Sequence, residues 1–252
     1  MSCPVDTTVG FPQPGKIGHM TSSPELRRLL PGPAEPTTVP AAYAAERLAH
    51  ADRPWIGLCM VASLDGSIAV DGASGGLGNP NDLDVLLTLR SIADMILVGA
   101  GTVRGEGYGP PKKPGQRIGV VTNRGHVDLD SDLFTSGAGF VITNERADVD
   151  ESRVDVLRSG HDAVDIAAAV TRLHEIDPSV GYVQAEGGAG FNGSLLDAGV
   201  IDELDLSLSP NLVGGDGPRL TSGAAERLRT FELAHLLTDS DGFVFSRWIR
   251  AC

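Results

Sequence analysis

The sequence predicts an α/β fold: a mainly parallel central sheet flanked by helices, with a C-terminal antiparallel hairpin. Three observations carry this. Short apolar runs at 55–63, 95–98, 118–122 and 140–143 are bounded by glycine or polar turns, as strands covered on both faces are. Helical segments fall between them, and strands alternating with helices imply a parallel sheet. The C-terminal third changes character: residues 203–209 alternate strictly, and Asp241-Gly242 stands between two strand-like runs, a hairpin signal.

With 252 residues, 41% of them hydrophobic, the chain is long enough for one well-buried domain. No apolar run approaches the ~20 residues of a membrane span. The polar, proline-rich N-terminus lacks the layout of a secretory signal, so a cytoplasmic protein without a membrane partner is expected. A net charge of -13 and the lack of a basic stripe argue against a nucleic-acid partner. A small anionic ligand stays open, because a few arginines in one cleft reverse the local field. Cys3, Cys59 and Cys252 are an odd set with no C-x-x-C or Cys/His spacing, which indicates neither a disulfide framework nor a metal site.

Residues 1–24, rich in Pro, Gly, Ser and Thr without a period, read as disordered or loosely attached. Residues 25–53 read as a helical arm, with helical pieces around 26–30 and 41–50 joined by a Pro/Gly link. The domain proper spans 54–252. After its first strand, the glycine-rich stretch 71–78 is either a mobile surface loop or a substrate-facing lid. Asn79-Pro80 starts a helix in which Leu83, Leu86, Leu87 and Arg90 recur at helical spacing. Strands at 95–98, 118–122 and 140–143 follow, then a short edge strand near 154–157. An amphipathic helix over 162–176 carries Val164, Ala167, Val170 and Leu173 on one face. A strand at 180–185 leads through Glu186-Gly187-Gly188-Ala189-Gly190 into a helix with Leu195 and Leu196. The alternation at 203–209 predicts a strand with one wet face. No internal repeat and no second domain are indicated.

The chemistry centres on 95–107, where Gly99-Ala100-Gly101-Thr102 follows an apolar run and brings backbone amides within reach of an anion. It is not the standard dinucleotide fingerprint, because Arg104 stands where G-x-G-x-x-G needs its third glycine. With the turn at 186–190 it forms a pair able to cradle a pyrophosphate, since glycine lets the backbone approach closely. Two ordinary strand-to-helix turns explain the same glycines equally well. Thr122-Asn123-Arg124 ends the next strand, where an NAD site usually has an acidic residue for the ribose 2′-hydroxyl. Hydroxyl, amide and guanidinium suit a 2′-phosphate, hence NADPH, although a solvated loop charge accounts for Arg124 as well. Asp65 is placed to bind or polarise a substrate, or merely to make an Asp-Gly turn. Glu106 is placed to orient substrate hydroxyls or to favour the positive end of the following helix. The six histidines are scattered, without a nucleophile or metal partner.

Taken in order, Ala62-Ser63-Leu64-Asp65-Gly66-Ser67-Ile68-Ala69, the stretch from Leu89 to Arg104, Glu186-Gly187-Gly188-Ala189, 200–204 and 209–215 resemble the reductase domain of riboflavin biosynthesis, the C-terminal domain of bifunctional deaminase-reductases. The resemblance runs from about residue 54 to the C-terminus. It implies a dihydrofolate-reductase-like fold, NADPH, a homodimer, and reduction of the ribose of 5-amino-6-(5-phosphoribosylamino)uracil to a ribityl chain by hydride delivery to the sugar C1 carbon. By motif position, Ser63 and Asp65 meet the nicotinamide end and the substrate. Gly99, Ala100, Gly101 and Thr102, with Glu186, Gly187, Gly188, Ala189 and Gly190, meet the cofactor phosphates, and Thr122, Asn123 and Arg124 the 2′-phosphate. Arg104 and Glu106 fall where family members hold substrate, with Asp65 and Glu106 as the catalytic candidates. Three departures stand out. Ser67 replaces a frequent lysine, an aromatic-plus-hydroxyl segment near 76–79 is missing, and the zinc-deaminase motifs are absent, which excludes deamination on ligand grounds. A dihydrofolate or pterin reductase, and a non-catalytic NADP-binding protein, are the alternatives.

Overall fold

In the computed structural model residues 23–251 are described, so the expectation for 1–24 lies almost wholly outside them. The chain opens with β1 (Leu26–Leu30), β2 (Glu35–Pro36) and a single helical turn, α1 (Val39–Ala42). Next come β3 (Trp55–Ser63), α2 (Pro80–Ile92), β4 (Met95–Gly99), α3 (Ala100–Glu106), β5 (Arg117–Val121), α4 (Asp132–Thr135), β6 (Gly139–Thr143) and β7 (Val156–Arg158). The rest is α5 (Ile166–Thr171) with a 3-10 turn at Leu173–Glu175, β8 (Tyr182–Ala185), α6 (Ala189–Ala198), β9 (Glu203–Ser209), β10 (Phe231–Asp239) and β11 (Val244–Arg250).

One eleven-stranded sheet results, in the order β2-β1-β10-β11-β9-β3-β8-β4-β5-β6-β7. From β9 to β7 neighbouring strands are parallel, and β11, β10, β1 and β2 add on antiparallel. The expected parallel sheet and C-terminal hairpin are therefore both present. Met95, Ile96, Leu97 and Val98 are at most 1% exposed, which explains their unbroken apolar run: both faces of β4 are covered. On one side Leu97, Phe140, Ile142 and Val183 pack with Val170 and Leu195 of α5 and α6. On the other, Ile96, Val98 and Val120 pack with Leu133 and Phe134. Each such side chain contributes roughly 1.5–3 kcal/mol of burial. Order along the sheet matters most for function. The chain leaves a gap between β3 and β4, runs outward to β7, and returns with β8 to fill the gap. Ligand clefts of open α/β sheets form at such reversals, outside the carboxyl ends of the strands.

Four expectations need correction. The arm at 25–53 is helical only over the single turn of α1. Residues 26–30 form β1, paired along β10, because five residues running into Pro31 and Pro33 are too few for a helix and leave their backbone groups to an open sheet edge. Of 41–50 only Ala41 and Ala42 are helical. The helix over 162–176 is shorter, because Asp165 takes the N-cap by accepting from the Ala168 N–H at 3.0 Å. The edge strand near 154–157 forms two residues later, as β7.

The strand at 203–209 is inverted relative to expectation: its polar face is the buried one. Glu203, Asp205, Ser207 and Ser209 are at most 3% exposed, whereas Leu204, Leu206 and Leu208 stay partly exposed. For Glu203, ion pairing makes this tolerable. The Glu203 carboxylate accepts from Arg47 Nε at 3.1 Å, Arg247 Nε at 2.9 Å and Trp55 Nε1 at 3.2 Å. Burial opposes its charge, but Arg247 and Arg47 hold its pKa down at about 2. Asp202 is paired likewise with Arg53 at 2.6 Å and lies 3.0 Å from His50 Nε2 in a hydrogen bond, so the arm is stapled to the sheet through buried carboxylates.

Candidate active site

The two glycine turns meet. The Gly99 N–H donates to the Gly187 carbonyl at 2.7 Å, and the Glu186 N–H donates to the Leu97 carbonyl at 2.9 Å, so the ends of β4 and β8 lie side by side. Side chains larger than hydrogen would be crowded at the junction. A Cβ on Gly188 would stand 2.9 Å from Thr102 Oγ1, and one on Gly99 would stand 3.3 Å from the Gly187 carbonyl oxygen. Gly99 is the N-cap of α3 and Gly188 that of α6, and neither start has a side-chain cap, so the leading N–H groups are left for another acceptor.

Above the junction lies a cleft of about 1210 Å³. That exceeds the ~300–1,000 Å³ typical of small-ligand pockets. Gly99, Ala100, Gly101, Thr102, Arg104, Glu106, Thr122, Asn123, Arg124, Glu186, Gly188, Ala189 and Gly190 all line it. Gly187 sits behind, its carbonyl taken by Gly99. At one end Thr122 Oγ1 accepts from the Arg124 N–H at 3.2 Å, and Asn123 Oδ1 accepts from the Val164 N–H at 2.7 Å. A smaller adjoining hollow there is bordered by Arg124, His126 and Arg146.

Ser63 and Asp65 do not line this cleft, contrary to their expected place at the nicotinamide end. Ser63 is 1% exposed and donates through Oγ to Asp65 Oδ1 at 2.5 Å. The Asp65 carboxylate also accepts from the Val213 N–H at 3.1 Å and the Gly214 N–H at 2.8 Å. These hydrogen bonds, Ser63 foremost, hold its pKa well below the ordinary carboxylate range. A carboxylate so engaged clamps the loop after β9. Glu106 does line the cleft and anchors the glycine-rich stretch across it, accepting from the Ser74 N–H at 2.8 Å. Arg104 reaches the His126 carbonyl at 3.2 Å.

Charge chemistry inside the cleft centres on Glu186, which the motifs place at the cofactor phosphates but whose carboxylate is engaged by side chains of the protein. Glu186 accepts from Arg90 Nε at 2.7 Å and Arg90 Nη2 at 2.6 Å, from the Tyr108 hydroxyl at 2.6 Å, and from Gln184 Nε2 at 3.0 Å. The guanidinium carbon also lies 5.3 Å from the Tyr108 ring centroid. Burial, then the Glu186 charge, pushes the Tyr108 phenol far above its ordinary value, so it stays protonated. Arg90 carried a signal in the sequence: it is a charge on the leucine stripe of α2. Nothing local marked Tyr108, which the left-handed turn at Gly107 (φ 71°) redirects after α3.

Fold and site together define an α/β domain whose large cleft opens at the strand-order reversal, floored by paired glycine turns. Residues 54–245 match the family model of the RibD C-terminal domain, and the chain belongs to that family. Among its relatives is the 2,5-diamino-6-ribosylamino-4(3H)-pyrimidinone 5′-phosphate reductase of Methanothermobacter thermautotrophicus, 29% identical over 184 residues that cover 66% of this chain and 82% of the relative. The enzyme of the same name from Archaeoglobus fulgidus is 26% identical, over 68% of this chain and 87% of that one. A pyrimidine reductase-like protein of Corynebacterium diphtheriae superposes with a TM-score of 0.73 at 25% identity, over 86% of this chain and 100% of that one. The Saccharomyces cerevisiae riboflavin biosynthesis reductase Rib7 shares the fold, with a TM-score of 0.63 at 22% identity over 84% of this chain and 95% of that one.

Proposed function

We propose that this chain is a nicotinamide-dependent reductase of riboflavin biosynthesis, that its cofactor is NADPH, and that its substrate is a ribosylaminopyrimidine 5′-phosphate. The observation that carries the reading is the pair of uncapped glycine helix starts meeting at Gly99 and Gly187, with an arginine-bearing strand end in the same cleft. The relatives are named for the diaminopyrimidinone phosphate, and the sequence motifs imply the aminouracil phosphate. Both bases carry the same ribosylamino group.

The residues present fit the cofactor. Amides at Ala100–Thr102 and Gly188–Gly190 would hold its pyrophosphate, in a cradle that a Cβ at Gly99 or Gly188 would crowd. Arg124, with His126 beside it, would hold a 2′-phosphate, whereas Arg146 in the same hollow is paired to Asp162 at 2.7 Å. When bound, the cofactor would supply the hydride to the sugar C1 carbon, while the bond from C1 to the ring oxygen breaks and that oxygen takes a proton from solvent, converting ribosyl to ribityl. Glu186, fixed by Arg90 and Tyr108, sets a preorganised negative charge where the ribosyl carbon becomes electron-poor. Tyr108 keeps its proton on the hydroxyl, pointed at Glu186 Oε2. Pro110 and Pro111 continue the wall beyond Tyr108. Glu106 holds the 71–78 loop across the cleft through Ser74, and from there orients substrate hydroxyls with Arg104.

Incubation with the ribosylaminopyrimidine phosphate and NADPH should consume NADPH absorbance and yield the ribityl product. Cofactor binding without turnover at high enzyme concentration would overturn the reading in favour of a non-catalytic NADP-binding protein. A second copy of the chain completes the proposal. Leu204, Leu206 and Leu208 stay partly exposed in a row, with Trp248 and Val244 opposite the first and last of them on β11, which suits burial in a homodimer. Among the described residues no helix is long and apolar enough to cross a membrane. The cytoplasmic location is part of the same proposal.

A further inference from the structure

With Asp65 engaged by the loop after β9, the wall of the cleft formed by α2 presents a different carboxylate. Asp82 lines the cleft beside Leu86 and Leu87, over a floor made by Cys59 and Val61 of β3. Its placement follows from the helix start. The Asp82 N–H is the group that Asn79 caps, at 3.0 Å, and the side chain of this first-turn residue is left to project from the helix. Gly78 makes room for it, since a Cβ there would lie 2.5 Å from Asp82 Oδ2. Burial raises the Asp82 pKa, against a hydrogen bond from Ser207, and no basic side chain contributes to its environment. In this it differs from Glu186, which is paired to Arg90, and Glu203, which is paired to Arg47 and Arg247. A partly buried carboxylate that the protein leaves without a cation, above an apolar floor, calls for N–H donors on a flat ligand.

We propose that Asp82 reads the edge of the pyrimidine ring that carries N3–H and a 2-amino group, and so makes this chain select a 2-amino-4-oxopyrimidine over the corresponding uracil. The inference rests on the proposed reductase function for its sugar chemistry and adds which base that sugar carries. Two parallel N–H groups match the two oxygens of one carboxylate, the geometry that makes such pairs strong. A uracil offers N3–H but sets its C2 carbonyl oxygen against the second carboxylate oxygen, leaving two acceptors face to face. A site built to accept a hydrogen bond discriminates strongly against an analogue that lacks the donor. For one lost charge-assisted bond the discrimination is roughly 10- to 100-fold.

The test compares kcat/KM of the full chain for 2,5-diamino-6-ribosylamino-4-pyrimidinone 5′-phosphate and 5-amino-6-ribosylaminouracil 5′-phosphate. Wild type should favour the first by roughly 10- to 100-fold. Asp82→Asn should shift the preference towards the second, because an amide accepts from N3–H and donates to the C2 carbonyl. A merely structural role would lower both alike. Equal values for the two substrates in wild type, or equal losses in Asp82→Asn, would overturn the proposal while leaving the reductase reading intact. The wild-type ratio needs no variant, so a variant that fails to fold does not remove the test. If neither phosphate is reduced, the reductase reading falls and calorimetry with the free bases decides the rest. Tighter binding of 2,5,6-triamino-4-pyrimidinone than of 5,6-diaminouracil supports the assignment, and equal or absent binding of both refutes it.

Discussion

Breaking the ion pair between Arg90 and Glu186 from either side should cost different amounts. The Glu186 side chain is 3% exposed and that of Arg90 is 29% exposed, so water can rescue one partner and not the other. In Arg90→Met the carboxylate stays buried with only Tyr108 and Gln184 as donors. Removing one partner of a buried pair costs roughly 3–5 kcal/mol, and the two remaining donors put the expected loss near the lower end, about 3 kcal/mol. In Glu186→Gln the guanidinium turns towards solvent and the amide keeps part of the network, for about 1–2 kcal/mol. The double variant carries a neutral pair and should be more stable than Arg90→Met alone, giving a measurable coupling energy. Urea unfolding followed by the fluorescence of Trp55 and Trp248 reads all four proteins. At roughly 2–4 °C per kcal/mol, the thermal midpoint of Arg90→Met should fall by roughly 6–12 °C. An Arg90→Met protein within about 0.5 kcal/mol of wild type, the usual range of surface substitutions, would refute the reasoning, as would a larger loss in Glu186→Gln.

Other expectations follow from the same geometry. Gly193→Ala would set a Cβ 2.0 Å from the Ser222 carbonyl oxygen and should lower stability by at least about 1–3 kcal/mol, whereas Gly190→Ala, also in α6, meets open space and should hold or raise the thermal midpoint, by up to about 1 kcal/mol of helix propensity. Arg124→Ala should weaken NADPH binding by roughly 1.5–3 kcal/mol and hardly touch NADH, and equal weakening of both would remove the 2′-phosphate role. His235, 6% exposed, has its pKa pushed down to about 4, chiefly by burial and next by Arg247. The unfolded chain therefore binds this proton first, and as pH falls from about 6.5 to about 4 the fold should lose on the order of 3 kcal/mol. His235→Leu should flatten that part of the pH profile relative to wild type, and an unchanged slope would disprove the assignment. Leu206→Glu should convert dimer to monomer in sedimentation equilibrium, and a wild type that is itself monomeric would sink the dimer proposal.

Legibility in the sequence tracked how local the physics was. The unbroken apolar runs of β3, β4, β5 and β6 announce strands covered on both faces. Gly99 and the 186–190 turn announce strand-to-helix turns, and Asn79-Pro80 announces the start of α2. These signals depend on neighbours a few residues away. Where a residue's environment is supplied by distant chain, the same rules misled. Alternation at 203–209 does mark a strand, but which face is wet depends on Arg47 from the arm and Arg247 from β11, which bring charge to Glu203 and bury it. The leucines of 26–30 say apolar and short, and only the open edge of β10 makes them a strand.

The candidate site divides in the same way. By itself the sequence determined the family, the α/β class and the two glycine turns, because backbone approach to an anion is written in consecutive residues. Only the tertiary structure decided that the turns touch, because β8 returns between β3 and β4 after more than eighty residues of intervening chain. It also decided which carboxylates face the cleft. Asp65, conspicuous beside its glycine, is drawn off by amides 148 and 149 positions away. Asp82, inconspicuous in a helix start, is left facing the cavity. Side-chain availability is a balance of partners in three dimensions, and sequence adjacency carries little of it.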